Sequence, residues 1–107
     1  WSLYLAHNPV KDFKPLAKLQ GLSTLDLSNT GMSDVSPIAS LTELRLLILD
    51  GNKIKDLGAI LAAAEKDAKN RNEFAPFLEL YIRNNPLGDK ANQQIKKLEK
   101  LGVKVKR

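Results

Sequence analysis

The chain has 107 residues, no cysteine, 43% hydrophobic residues and a formal net charge of +5. That is one domain's worth of chain with an ordinary apolar fraction, which argues against disorder and allows a small core. It excludes a disulfide framework, a thiol nucleophile and a thiolate metal site, and no apolar run reaches the length needed to cross a membrane. The charge is unevenly placed. Residues 1–88 hold ten Lys/Arg and ten Asp/Glu, whereas residues 89–107 hold seven and two, so a neutral body carries a basic tail.

Taken in order, the chain repeats itself. Leu22, Leu25 and Leu27 return as Leu44, Leu47 and Leu49, followed by Met32/Ile54, Asp34/Asp56, Val35/Leu57 and Ile38/Ile60, each pair 22 residues apart. The same shift backward lands on Leu3, Leu5, Asn8, Val10, Asp12, Phe13, Pro15, Leu16 and Leu19. The chain therefore starts on or just before a strand. A first strand with a bare outer edge predicts upstream repeats, a cap, or another chain covering it, and leaves self-association through that edge open.

After Ile60 the period fails. The next strand signal, LELYIRNNPL, puts Leu80, Ile82, Asn85 and Leu87 33 residues after Leu47, Leu49, Asn52 and Ile54, so the third repeat carries about 11 extra residues. Leu57, Ile60, Leu61, Ala64 and Ala68 share a helical face within this insertion, and the alanine run favours helix. Asn70-Arg71-Asn72 reads as the exit, and Pro76 stops continuation. The last stretch, DKANQQIKKLEKLGVKVKR, predicts a helix capped by Asp89, with an Ala91/Ile95/Leu98/Leu101 stripe and a stop at Gly102. Val103-Lys104-Val105 then alternates like a short edge strand. The expected organisation is one domain of repeats at about 1–21, 22–43, 44–76 and 77–107, forming the C-terminal part of a longer array.

The phrase L-x-x-L-x-L-x-N-T-G-M-S-D-V-S-P-I-A-S-L, with its echoes NPVKDFKPL and NKIKDLGAI, resembles the 22-residue leucine-rich repeat of bacterial internalin-type proteins. The resemblance covers nearly the whole chain. Departures are the long third repeat, Ala59 where the other repeats have Pro15 and Pro37, and the tail after Asp89. It implies an α/β fold: a right-handed leucine-rich repeat solenoid with a parallel sheet on the concave face, short helices or 3₁₀ turns on the convex face, and a C-terminal helical cap. It also implies a protein-binding role.

Within the strands the leucines point inward and the residues between them point out, because neighbours alternate faces. The expected outward rows are Tyr4/Asp26/Ile48/Tyr81, Ala6/Ser28/Asp50/Arg83, Ser2/Thr24/Leu46/Glu79 and His7/Asn29/Gly51/Asn84. Tyr4, Asp26, Leu46, Ile48, Asp50, Tyr81 and Arg83 are the candidate partner-binding residues. They place apolar and aromatic groups where a wet surface is expected, although strands also favour such residues for their own sake. Asn8, Asn52, Asn85 and Thr30 read as structural, bonding backbone groups where the chain leaves the sheet. Asp12, Asp34, Asp56 and Asp89 read as turn or helix-start caps.

Catalytic signals are missing. His7 is the only histidine, and no metalloprotease, nucleophile-elbow or phosphate-loop motif is present. A Ser28/His7/Asp26 set, or Asp26, Asp50 and His7 as metal ligands, is the kind of combination any small protein offers. The expectation is a non-catalytic interaction module without cofactor or metal. The alternative is anion binding, to nucleic acid or a membrane surface, through Lys96, Lys97, Lys100, Lys104, Lys106 and Arg107. No aromatic residue is interleaved there for base stacking, which weighs against nucleic acid. The residues leave partner identity and compartment open.

Overall fold

In the computed structural model, which describes residues 1–107, five three-residue strands form one parallel sheet in sequence order. They are β1 (Ser2–Tyr4), β2 (Thr24–Asp26), β3 (Leu46–Ile48), β4 (Glu79–Tyr81) and β5 (Lys104–Lys106). The register is constant across unequal spacings. Leu3, Leu25, Leu47, Leu80 and Val105 are successive Cα partners, so the insertion leaves pairing untouched. Parallel strands need a long crossover between them, and here each crossover returns along the far side of the core.

The repeated apolar positions stack into columns. Leu25, Leu47 and Leu80 are at most 1% exposed, as are Leu27, Leu49 and Ile82. Met32 and Ile54, Val35 and Leu57, and Ile38 and Ile60 are buried in the same way. Truncating one such leucine to alanine typically costs about 2–5 kcal/mol. Leu3 and Val105, at the ends of their column, are only partly buried.

The crossovers differ in length. Lys14–Lys18, Ser36–Ile38 and Ala75–Phe77 are single 3₁₀ turns, each with proline in its first two positions, where its fixed φ suits a helical start. The insertion is a twelve-residue helix, α1 (Gly58–Lys69), with Ile60, Leu61 and Ala64 turned to the core. A second twelve-residue helix, α2 (Asp89–Lys100), buries Ala91, Ile95 and Leu98 and leads into β5. Gly88 occupies the N-cap position of α2 and no side chain caps it. Asp89 is instead the first helical residue, where its charge faces the positive end of the helix. Gly102 ends α2 at φ +104°, and a Cβ there would lie 2.9 Å from the Cα of Pro76. No helix is long and apolar enough to cross a membrane.

The turns off the sheet are held by side chains at one repeated position. Asn52 is 7% exposed. Its Nδ2 donates to the carbonyls of Leu27, Leu49 and Asp50 at 2.9–3.3 Å. Its Oδ1 accepts from the amides of Thr30, Gly31 and Met32 and from the Thr30 hydroxyl. Asn85 does the same one repeat later, donating to Leu49, Ile82 and Arg83 and accepting from the Ile54 amide. Asn8 and Thr30 bond carbonyls of their own repeat. The aspartate row works locally. Asp12, Asp34 and Asp56 each accept the amide two residues on, those of Lys14, Ser36 and Gly58.

Candidate protein-binding face of the sheet

Strand alternation and register together build the open face. Tyr4, Asp26, Ile48, Tyr81 and Lys106 are successive partners in one row, and Ser2, Thr24, Leu46, Glu79 and Lys104 in the other. The candidate residues from β1 to β4 therefore lie as neighbours at the strand spacing of about 4.8 Å. Tyr4 is 66% exposed at one end. Leu46, Ile48 and Tyr81 are partly buried and give the middle of the face its apolar character.

One pair is fixed in place. The Asp50 carboxylate accepts from the Arg83 amide at 2.7 Å and from Nε and Nη2 of its guanidinium at 3.1 and 2.9 Å. The hydrogen bond to Asp50, and then the attraction of its charge, raise the Arg83 guanidinium above its ordinary value. The guanidinium carbon also sits 5.4 Å from the centroid of the Tyr81 ring, within cation–π range. Asp50, Arg83 and Tyr81 thus form a braced group beside Ile48. A braced side chain loses less freedom on binding than a mobile one.

The fourth outward row behaves differently. His7, Asn29 and Asn84 adopt φ of +64°, +55° and +60°, and Gly51 adopts +70°. These residues turn the chain off the sheet in the left-handed region instead of extending its face. Their types fit, since Asn and Gly tolerate that region best. At Gly51 a Cβ would also meet the side-chain amide of Asn29, which would have to move aside.

The residues that could have suggested catalysis are otherwise engaged. The Ser28 hydroxyl donates to Asp26 at 2.6 Å, and the Ser28 amide donates to the same oxygen. Asp50 is taken by Arg83. No hydrogen bond joins His7 to either, and its backbone continues the ladder to Ser28. No group of three or more His, Asp or Glu is placed to hold a metal ion.

The outward rows extend further than the sequence reading carried them. Lys104 and Lys106 complete them on β5, but the 25-residue step from Leu80 to Val105 matches neither earlier spacing. Phe77 is a second surprise. It stands 33 residues after Leu44, in the place of a core leucine, yet is 53% exposed. Leu78 is buried in its stead, and the Phe77 ring lies under the Arg45 guanidinium at 4.6 Å. Two hollows, of about 340 and 510 Å³, lie among residues of the crossovers and α1, and none of the seven candidate residues lines either.

The comparisons agree with this geometry. A family model described as leucine-rich repeats in two copies matches residues 20–62. An internalin of Listeria monocytogenes, inlF, superposes with a TM-score of 0.75 at 26% identity, over 97% of this chain and 27% of the other. Internalin C2 of the same organism gives 0.71 at 27% identity, over 96% and 39%. A leucine-rich repeat protein of Leptospira interrogans shares the fold, with a TM-score of 0.53 at 19% identity, over 99% and 36%. The chain thus spans well under half the length of each of these proteins. No curated protein matches the sequence. Leucine-rich repeat proteins generally mediate protein–protein interaction, and the fold is typically a non-enzymatic scaffold. The continuous register, the stacked leucine columns, the asparagine-bonded turns and these matches together give the chain a leucine-rich repeat solenoid fold similar to that of the Listeria internalins.

Proposed function

We propose that this chain binds a protein partner through the concave face of its sheet, with Ile48, Tyr81 and Leu46 at the centre and Tyr4, Asp26, Asp50 and Arg83 around them. The observation that favours this face is the adjacency of Ile48 and Tyr81 in register, next to the Asp50–Arg83 pair whose guanidinium approaches the ring. Partly exposed apolar and aromatic groups flanked by a fixed ion pair match the composition of binding hot spots, in which Tyr and Arg are enriched. No catalytic step is part of this reading.

The test compares Ile48→Asp and Tyr81→Ala with the parent chain and with Lys55→Glu, a control outside the sheet. The readout is quantitative mass spectrometry of proteins retained from a cell extract, followed by affinity measurement on any retained protein. The two face variants are expected to weaken binding by about 2 kcal/mol or more, roughly thirtyfold in Kd, with unchanged thermal melts. Undiminished retention by both variants overturns the assignment of the face.

A further inference from the structure

The C-terminal strand brings the basic tail onto the same face as the apolar patch. Lys104 is the Cα partner of Glu79, and Lys106 that of Tyr81. Both are exposed, and Val105 between them packs against the core, which fixes the outward direction of the two lysines. The chain's ion pairs are Arg71 with Glu43 and Glu73, and Arg83 with Asp50. Lys104 and Lys106 therefore have no acidic partner within ion-pair distance. Arg83 and Asp50 neutralise each other, and Asp26 lies two strands before β4. Glu79 is the unpaired carboxylate of the neighbouring strand, and α2 behind carries two more, Asp89 and Glu99. Behind β5, the exposed Lys96, Lys97 and Lys100 of α2 carry positive charge at the same end of the molecule.

We propose that the partner presents an extended acidic segment to β5, with two carboxylates one residue apart, and seats a large apolar side chain beside Ile48 and Tyr81. This rests on the concave-face reading above and adds the chemistry of the partner. Alternate residues of an extended strand are about 6.6–6.8 Å apart on one face. Lys104 and Lys106 have that spacing, so an Asp/Glu-x-Asp/Glu segment running alongside meets both ammonium groups at once. The apolar patch lies one to two strand spacings away, about 5–10 Å, within reach of a neighbouring Leu, Phe or Tyr on the same segment. A nucleic acid fits this arrangement less well. Its bases would need a free aromatic face near the lysines, where the Tyr81 ring is already approached by Arg83, while the exposed Tyr4 lies on β1 at the far end of the sheet.

The experiment selects phage-displayed random dodecapeptides on the intact chain and measures the retained peptides on variants. Peptides lost with Ile48→Asp are expected to carry paired acidic residues next to a large apolar one. Lys104→Gln/Lys106→Gln should weaken them by roughly tenfold and flatten their salt dependence, with thermal melts confirming the fold. Peptides that need Ile48 but ignore the lysine pair overturn this inference and leave the concave-face reading standing. Retained peptides indifferent to both Ile48→Asp and Tyr81→Ala overturn the two together. Tighter binding of an oligonucleotide or an anionic vesicle, insensitive to Ile48→Asp, assigns the lysines to a polyanion surface and also overturns the inference.

Discussion

The second and third repeats are joined in one way and the third and fourth partly in another. Between the former, a single buried residue, Asn52, ties both turns together with seven hydrogen bonds. Between the latter, Asn85 bonds across with fewer partners, and two further side chains serve the longer crossover. Asp67, buried in α1, accepts from the amides of Glu73, Phe74 and Ala75 as the chain returns toward β4. Gln94, buried in α2, accepts from the Leu57 amide at 2.6 Å. Both joints satisfy backbone donors that would otherwise be buried without partners. The first does so from a position that repeats; the second adds two that do not, Asp67 from the inserted helix and Gln94 from the helix of the following repeat.

Breaking each joint should show whether the two are equivalent. Asn52→Ala leaves several buried backbone groups unpaired at once and is expected to cost about 3–4 kcal/mol, a large share of a small domain's stability. Chemical denaturation should show the whole sheet losing stability, since the residue bridges two strands' exits. Asp67→Ala is expected to cost about 2 kcal/mol and to act locally. Hydrogen exchange should quicken at Glu73, Phe74 and Ala75 while the amides of β2 and β3 stay protected. Equal loss of protection across the molecule would mean that the crossover and the regular repeats unfold as one unit.

The smallest effect belongs to the exposed aspartate row. The amide and then the hydroxyl of Ser36, both donating to Asp34, hold its carboxyl below the ordinary aspartate value of 3.8. A depressed value in the folded chain gives stabilisation that is complete above the unfolded value and is lost as pH falls through the folded one. At so exposed a site this is worth only about a few tenths of a kcal/mol. Ser36→Ala should move the Asp34 titration, followed by NMR, back upward. An unmoved titration would show that the amide alone sets it.

The regular half of the molecule was legible because repetition is its physical basis. Leu25 and Leu47 must stack, so they recur, and comparing two copies of the phrase is enough to assign their faces. The turn residues Asn8, Thr30, Asn52 and Asn85 and the aspartates at 12, 34 and 56 were readable for the same reason. What was hidden occurs once. Asp67 and Gln94 look like ordinary polar residues on helices, and only the fold shows the Asp67 carboxylate meeting the amides beyond the end of its own helix and the Gln94 side-chain oxygen meeting that of Leu57, 37 residues before it. Phe77 stands in a leucine's register, but the turn Ala75–Phe77 swings it outward and gives its place to Leu78. Asp89 looked like a cap, yet the cap position is one residue earlier, at Gly88, and Asp89 is the first helical residue. Within the candidate face, the row at His7, Asn29, Gly51 and Asn84 could not be told from strand by spacing, because left-handed backbone leaves no mark on periodicity. The alternation in the sequence reads as Val103-Lys104-Val105, one residue before the strand Lys104–Lys106, and the rows of Lys104 and Lys106 could not be assigned without the register of β5.

The constant strand register across strand-to-strand steps of 22, 33 and 25 residues has a consequence for how such a chain can change. Pairing in the sheet counts repeats and ignores the residues between them. Lengthening a crossover therefore leaves the spacing of the face untouched, and altering the face leaves the crossovers in place. The two sides can be varied separately: new segments can be spliced into the outer bends while recognition is retuned, side chain by side chain, across the strands.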